Sequence, residues 1–308
     1  IGEALGQVGY DTYAIVGRYV SAIFDLLTVL LVFLIGKRLY NRWVGLLGAL
    51  FYALAVLPIQ LSHYATVDTV TNTFAFLAVY AAVWALTRPD TAQPKDAEKK
   101  SFGAVLRDLA PYLLFGAALG AATASKINAV ALALVLILVE FSRMLRLPVA
   151  RRQKAALIGL RNLVIAGVVS FVIFRIGQPY AFNGPGFLNM GINQGWWASL
   201  QSLRVQASGQ VDFPPALQWA RRPITFSLEN LVRWGLGLPL GILAWASYLV
   251  WAGPSCVNRI GSAICLCGAS LGFILFGNPF PGCVPCATRC WFIPHWLCLQ
   301  AGAWSGSG

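Results

Sequence analysis

The sequence predicts an all-α, polytopic transmembrane helical bundle, and three observations support that prediction. The 308 residues are 58% hydrophobic and only 11% charged, whereas a soluble domain of this length needs far more charge to cover its surface. Several apolar runs approach or exceed the roughly 20 residues that a helix needs to cross about 30 Å of hydrocarbon. Basic residues gather between these runs, as the positive-inside rule predicts for cytoplasmic loops.

The formal net charge of +12 is explained by loop charge of this kind. Nucleic-acid binding is the alternative, but no long basic stripe supports it. We therefore predict an integral, multi-pass membrane protein that has the lipid bilayer as a partner and no nucleic acid.

The first three elements are apolar runs that alternate in direction. They cover residues 13–36, 44–61 and 67–86. The first run ends at the basic residues Lys37, Arg38 and Arg42, which predict a cytoplasmic end. The second run then ends on the outer side, and the third leads back to a polar cytoplasmic segment at 88–100.

The next apolar run, 111–141, is longer than one span requires and is interrupted by a polar stretch around Lys126. One alternative is a single tilted helix that buries Lys126, and the other is a pair of short helices with Lys126 at the outer turn. We predict the pair, because a lysine at the bilayer centre costs about 2.5–3.5 kcal/mol on insertion scales. The pair also returns the chain to the cytoplasm for its most basic segment, 143–161. Gly116 and Gly120 form a small-xxx-small pair, which is typical of helix packing.

A further span at about 157–176 leads to a polar and aromatic segment at about 178–233. This segment is predicted to be an outer loop at the membrane interface, where Trp and Arg side chains anchor. Residues 236–251 then re-enter the bilayer. Residues 1–253 thus form one predicted transmembrane domain.

Residues 254–308 are predicted to be a frameshifted tail and not a native domain. All seven cysteines occur in this tail, and no acidic residue follows Glu229. The Cys-x-x-Cys pair at 283–286 has the spacing of a zinc or redox site. Back-translation of 276–308 one base earlier, however, gives a membrane-like run with Met-Arg-Tyr and Tyr-Pro segments. A genuine cysteine-rich tail and a metal site are the alternatives.

Three segments carry a family resemblance. The first is residues 17–68, which end in Ser-His-Tyr-Ala-Thr-Val-Asp, the second is residues 116–128, which end in Ala-Ser-Lys-Ile-Asn, and the third is residues 175–182, which read Arg-Ile-Gly-Gln-Pro-Tyr-Ala-Phe. Together they resemble the C-type (GT-C), polyprenyl-phosphate-sugar-dependent glycosyltransferases. The nearest groups are the protein O-mannosyltransferases of family 39 and the bacterial aminoarabinose transferases. The resemblance covers about residues 10–250.

The resemblance implies a multi-helix membrane enzyme of the bacterial plasma membrane. Such an enzyme moves a hexosyl or mannosyl sugar from a polyprenyl-phosphate donor on the outer face to an acceptor hydroxyl of a protein, lipid or glycan. A divalent metal is an expected cofactor. The principal catalytic acid of the family lies in the first outer loop, which is expected to precede Ile1. The chain is therefore expected to be a fragment without that acid.

Asp68 and His63 are the predicted catalytic residues. The resemblance makes Asp68 the second acidic position of the active-site cavity, where it holds a metal or orients basic side chains near the phosphate. The alternative is a helix N-cap, a position that Asp favours. His63 is predicted to contact the sugar or the phosphate, and the alternative is a hydrogen-bonded histidine at the interface.

Contacts to the donor phosphate and the substrate are predicted for polar side chains at the outer helix ends. Lys126 either pairs with the phosphate as a mobile point charge or extends toward lipid headgroups, and the same alternatives apply to Arg18. Asp25, deeper in the first span, is expected to form a buried polar pair. The remaining candidates are Arg175, Gln178, Tyr180 and Arg222, together with Trp196, Trp197 and Trp219, which either stack on sugars or anchor the loop.

Two other functions are open. A multi-pass transporter or lipid flippase predicts internal repeats and broken helices at the midplane of the membrane, and we find no convincing repeat. A structural or assembly membrane protein without catalysis is the third hypothesis.

Overall fold

The computed structural model describes most of the chain. It covers residues 10–88, 102–184, 186, 189–207, 226 and 229–252. These residues form helices and one isolated antiparallel bridge between Phe182 and Ile192, and they contain no strand. The predicted all-α fold is therefore confirmed. Arg222, Trp219 and the tail 254–308 lie outside the described residues.

The described helices follow one another with short connections. They are α1 (Tyr10–Leu39), α2 (Arg42–Ala53), α3 (Val56–Ser62), α4 (Val67–Leu86), α5 (Phe102–Ser125), α6 (Ala133–Arg146) after a 3₁₀ segment (Ile127–Leu132), α7 (Val149–Gly177), a 3₁₀ turn (Pro179–Ala181), α8 (Gln194–Ala207), a π turn (Leu231–Gly235) and α9 (Leu238–Ala252). Five of these elements are long and apolar enough to cross a membrane: α1, α4, α5, α6 with its 3₁₀ segment, and α7. The number rises to six if the bent pair α2–α3 counts as one span. The predicted polytopic bundle is thus confirmed.

The core of the bundle lies around α4. The most apolar window of α4 is 61% buried, against 17% for α1 and for α7. Small side chains at Ala75, Ala78 and Ala82 let the neighbouring helices approach closely, and Phe115 of α5 and Leu132 pack against them. α4 is therefore the central helix, and the candidate site residue Asp68 lies in its first turn.

The predicted second span is broken into α2 and α3, which meet at 62°. The break follows from Pro58, which lies in the first turn of α3. A proline in the interior of a continuous helix has no N–H to donate, and its ring clashes with the carbonyl four residues earlier. That carbonyl belongs to Leu54, the C-cap of α2. The continuous run predicted for 44–61 is therefore wrong.

The prediction of two helices around Lys126 is confirmed, although the helices are not short. α5 has 24 residues and the following span, 127–146, has 20. Lys126 lies between them in an extended conformation, with φ −150° and ψ 113°. The next span is also longer than predicted, because α7 begins at Val149 and includes several basic residues of the segment 143–161.

α9 corresponds to the predicted re-entry at 236–251. It has 15 residues, which is about 22 Å of helix and less than the roughly 30 Å of hydrocarbon. Within the described residues α9 is therefore too short to be a complete span.

One end of the bundle collects the polar candidates. Gly17 of α1 packs against Ala65, since a Cβ on Gly17 would lie 2.5 Å from the Ala65 Cβ. Lys126 bonds to Asp68, and Gly177 packs against the last turn of α5. We call this region the Asp68 end. It comprises residues 17–18, 62–68, 124–128 and 175–182.

The opposite end of the bundle is defined by a second set of contacts. Arg38 of α1 bonds to Thr87 after α4, and Arg88 bonds to Asp108 in α5. We call this region the Arg38 end. It comprises residues 37–42, 84–88, 102–108 and 143–152. The contacts give the spans the alternating directions predicted from the sequence, and which end faces outward stays a prediction.

Candidate functional site

An ion pair between Asp68 and Lys126 is the centre of the candidate site. The Lys126 Nζ lies 2.9 Å from the Asp68 Oδ1, with side-chain exposures of 39% and 13%. A charge-assisted hydrogen bond of this length is among the stronger polar contacts in proteins. It joins α4 to the end of α5 across 58 residues of sequence.

The local fold explains why Lys126 reaches α4. The backbone N–H of Lys126 still donates to the Ala122 carbonyl at 2.8 Å, but its extended φ and ψ end the helix there. The ammonium has three N–H donors. Among the described contacts it gives one to Asp68, which leaves two donors for a ligand.

Asp68 is in the first turn of α4, one residue after Val67, and is not the cap residue. The N-cap position belongs to Thr66, whose side chain makes no capping bond. An anion in the first helical turn is favoured by the helix dipole. The cap alternative for Asp68 is therefore wrong, and the carboxylate is held by Lys126 and by the start of α4.

A buried hydroxyl lies beside the pair in sequence. The Thr66 Oγ1 is buried and has no hydrogen-bond partner within the described part of the chain. Buried polar atoms nearly always have a partner, and an orphan is accounted for by a water or a ligand. Thr66 thus adds an unused polar atom to the Asp68 end.

His63 caps the C-terminus of α3 and is exposed. Its Nδ1 lies 2.6 Å from the Ile59 carbonyl oxygen, so Nδ1–H donates and Nε2 is the acceptor nitrogen of the neutral ring. The hydrogen bond predicted for the structural alternative is therefore present. The predicted contact with a sugar or phosphate stays a prediction.

Arg18 and Asp25 differ in their surroundings on α1. Arg18 is exposed beside the loop that joins α3 to α4, and among the described residues it forms no ion pair. Asp25 accepts a 3.0 Å hydrogen bond from the Tyr52 hydroxyl of α2. The polar pair expected for Asp25 is thus confirmed.

Arg175 is turned into the protein. Its side chain is 4% exposed, one Nη donates to the Gly186 carbonyl at 2.8 Å, and the guanidinium carbon lies 4.7 Å from the centre of the Phe182 ring. This geometry favours a structural role, in which Arg175 holds the loop after α7. It does not present the guanidinium at the surface of the Asp68 end.

The other candidates of the loop after α7 are more open. Gln178 ends α7 and is partly buried, and Tyr180 is 60% exposed. The Tyr180 hydroxyl lies next to Gly195 at the start of α8. Trp197 of α8 is 51% exposed, and it therefore remains available either for a sugar or for the interface.

The expected metal does not fit the described residues. No group of three His, Cys, Asp or Glu side chains that could hold a metal occurs in the part of the chain the structure describes. Asp68 already accepts a bond from an ammonium, and a single carboxylate beside a cation is a poor ligand set for a divalent ion. We derive no step through a metal.

A buried polar network was not predicted from the sequence. The Tyr112 hydroxyl donates to the Glu140 carboxylate at 2.7 Å and accepts from Arg143 at 2.6 Å. The network links α5 to α6 near the Arg38 end. The available signal was the i, i+3 spacing of Glu140 and Arg143, which favours an ion pair on one helix face.

These features define a class: a polytopic membrane protein with a charged binding site where its central span begins. The comparison with protein families adds a direction. Residues 11–93 match the model of a family described as dolichyl-phosphate-mannose-protein mannosyltransferase. The match spans α1 to α4 and includes Asp68 but not Lys126, and it supports the resemblance to membrane glycosyltransferases. The chain matches no curated protein and no solved structure.

Proposed function

We propose that this chain is a membrane glycosyltransferase that moves a hexosyl or mannosyl sugar from a polyprenyl-phosphate donor to an acceptor hydroxyl. The reaction takes place at the Asp68 end, on the outer face of a bacterial plasma membrane. The matched family description names a protein as the mannose acceptor, so a protein hydroxyl is our first choice over a lipid or a glycan.

The Asp68–Lys126 pair is the observation that carries this proposal. Ionisable groups at the ends of membrane spans are costly and commonly mark substrate sites. Here a carboxylate and an ammonium from two different spans meet, and the carboxylate lies in the segment that matches the family. A lipid-linked phosphate travels at the same depth as these helix ends.

The chemistry assigns a separate task to each group. The acceptor oxygen attacks the anomeric carbon, the bond from that carbon to the phosphate oxygen breaks, and the electron pair leaves with the phosphate. Lys126 stabilises the departing phosphate with its two remaining donors, and Arg18 is the second cation within the same end. The acceptor proton goes to a base, for which Asp68 and the Nε2 of His63 are the candidates.

The distribution of charge supports the outer location of this end. The Arg38 end carries most of the basic residues of the described spans, including Lys37, Arg146, Arg151 and Arg152. Cytoplasmic ends of spans are enriched in Lys and Arg. The Asp68 end is then the outer one.

The test is transfer of mannose from polyprenyl-phosphate mannose by the full chain in membranes. We expect Asp68→Asn to lower the rate by about 100-fold or more, the scale of losing a base or a charge-stabilising group. Lys126→Gln should raise the KM for the donor as well, and Lys126→Arg should restore part of the activity because it keeps the positive charge.

Arg233→Gln is the matched control, since Arg233 forms an exposed ion pair with Glu229 at 2.9 Å. It removes a charge without touching the Asp68 end and should leave transfer unchanged. Full activity of Asp68→Asn in correctly inserted protein would refute the proposed site.

A transporter or lipid flippase is the second candidate, and the broken span α2–α3 favours it. Transporters commonly carry discontinuous helices at their binding sites, and the 62° bend is such a feature. Flipping of a fluorescent polyprenyl phosphate in vesicles, without any transfer of sugar, would favour this candidate over the enzyme.

A further inference from the structure

A second cationic site lies at the Arg38 end, far from the proposed active site. Its centre is Trp84 in the last turn of α4, which is about 24 Å from Asp68 along the helix axis at 1.5 Å per residue. Two guanidinium groups lie near the Trp84 ring. Their central carbons are 5.8 Å (Arg38) and 5.0 Å (Arg88) from its centroid.

Each guanidinium is also fixed by one hydrogen bond. The Arg38 Nε donates to the Thr87 Oγ1 at 2.8 Å, and an Nη of Arg88 donates to the Asp108 carbonyl oxygen at 2.9 Å. A guanidinium has five N–H groups in a planar fork. Both side chains are therefore held in place while most of their donors stay available for an acceptor.

The site carries an excess of positive charge. Burial lowers the pKa of the Arg88 guanidinium, the positive charges of Arg38 and Arg107 lower it further, and Asp108 raises it. An arginine stays protonated in proteins, so three like charges from α1, α5 and the end of α4 lie within range of one another. Their mutual repulsion is relieved when an anion binds among them.

We propose that Arg38, Trp84 and Arg88 form a binding site for a phosphate group, carried by an anionic lipid headgroup or by a soluble phosphate ester. Arginine forks match phosphate oxygens in a bidentate manner, and basic sites between spans bind anionic headgroups. The exposed Tyr40 and Trp43 lie at the same end, where a lipid headgroup would meet them. This site is independent of the proposed transfer reaction.

The basic cluster at the start of α7 is a matched control. Arg151 and Arg152 lie at the same end of the bundle, but Arg152 donates to the carbonyls of Leu145 and Leu147. No aromatic ring is recorded under either side chain among the described residues. Removing these two charges changes the general electrostatic attraction as much as removing Arg38 and Arg88 does.

The experiment measures lipid binding to the purified full chain by native mass spectrometry. Phosphatidylglycerol is titrated against phosphatidylcholine, and in a second arm inorganic phosphate and glycerol phosphate are titrated by calorimetry. We expect Arg38→Gln with Arg88→Gln to weaken phosphatidylglycerol binding at least 10-fold, and Arg151→Gln with Arg152→Gln to weaken it less than 2-fold.

Each outcome decides the proposal. Dependence on Arg38 and Arg88 in the lipid arm assigns the site to a headgroup, and the same dependence only in the soluble arm assigns it to a free phosphate ester. Equal losses in both variant pairs, or no loss, would overturn the site and leave a diffuse basic surface. If the glutamine pair does not fold, Arg38→Lys with Arg88→Lys keeps the charge and removes the planar fork, and unchanged binding would then refute the geometry.

Discussion

Arg175 organises the loop that follows α7 through two contacts. Its guanidinium lies against the Phe182 ring and donates to the Gly186 carbonyl, while Phe182 pairs with Ile192 in the isolated bridge. The same loop carries Tyr180 and leads to α8. A single buried cation thus fixes the backbone that presents the aromatic candidates of the Asp68 end.

Arg175→Lys should loosen this loop without unfolding the bundle. An ammonium cannot stack as a planar group or reproduce the fork, so we expect opening of the loop to become easier by about 1–2 kcal/mol. This change corresponds to roughly 5- to 30-fold faster cleavage by a protease. Limited proteolysis followed by mass spectrometry of the fragments gives the measurement.

Arg204→Lys, in the exposed part of α8, is the control for a change from Arg to Lys and should leave cleavage as it is. Identical cleavage rates in the Arg175 variant and the unmodified chain would contradict the anchoring role.

The sequence predicted the position of Asp68 and Lys126 but not their contact. The cost of a charge in hydrocarbon is enough to require both residues at helix ends. Which helix ends are neighbours depends on how α4 and α5 pack, and a single sequence holds no direct record of that packing. The inward orientation of Arg175 was missed for the same reason, because its partner Phe182 lies in an irregular loop.

At the scale of elements, close contact between α5 and α7 depends on glycine. Gly116 and Gly120 face the α7 backbone, and a Cβ on Gly120 would lie 2.9 Å from the Ile173 Cβ and closer still to the Ser170 carbonyl. The small-xxx-small prediction from the sequence is confirmed by this contact. The spacing was sufficient because such a motif acts through local geometry.

Gly120→Val should separate α5 from α7 and destabilise the bundle. Overpacking of a tight contact costs about 1–3 kcal/mol, and the neighbouring atom here is backbone and cannot rotate away. We expect a lower midpoint of thermal unfolding in detergent. Gly167→Val is the matched control, because a Cβ on Gly167 meets nothing within 4 Å. Equal midpoints for the two variants would show that the contact does not limit stability.

The bend between α2 and α3 could be placed only after the structure was known. Pro58 is visible in the sequence, but a proline near the end of an apolar run is compatible with a helix that simply stops there. The structure shows that the chain resumes as α3 and buries Ala55 and Leu61. Tertiary burial of this short helix, and not local propensity, decided the outcome.

At the scale of the whole molecule, the two ends of the bundle differ in charge and in task. The Asp68 end has one tight ion pair and an exposed arginine, whereas the Arg38 end gathers most of the basic side chains. The opposing directions of α4 and α5 keep these groups on their separate ends. Sequence patterning was enough to predict this separation, because loop charge and span length suffice to order the helices.

The orientation of the bundle in the membrane can be tested by cysteine labelling in intact cells. Single cysteines are placed at the exposed Tyr64 and Asn128, and at the exposed Tyr40 and Val149, after the seven native cysteines are replaced by serine. We expect an impermeant maleimide to label the first pair at once and the second pair only after the membrane is opened. The physical reason is the basic character of the Arg38 end, which is retained in the cytoplasm. Labelling of Tyr40→Cys in sealed cells would invert the bundle, place the Asp68–Lys126 pair on the cytoplasmic side and contradict an outer-face transfer, while labelling of Tyr64→Cys and Asn128→Cys on different sides would contradict the helix directions themselves.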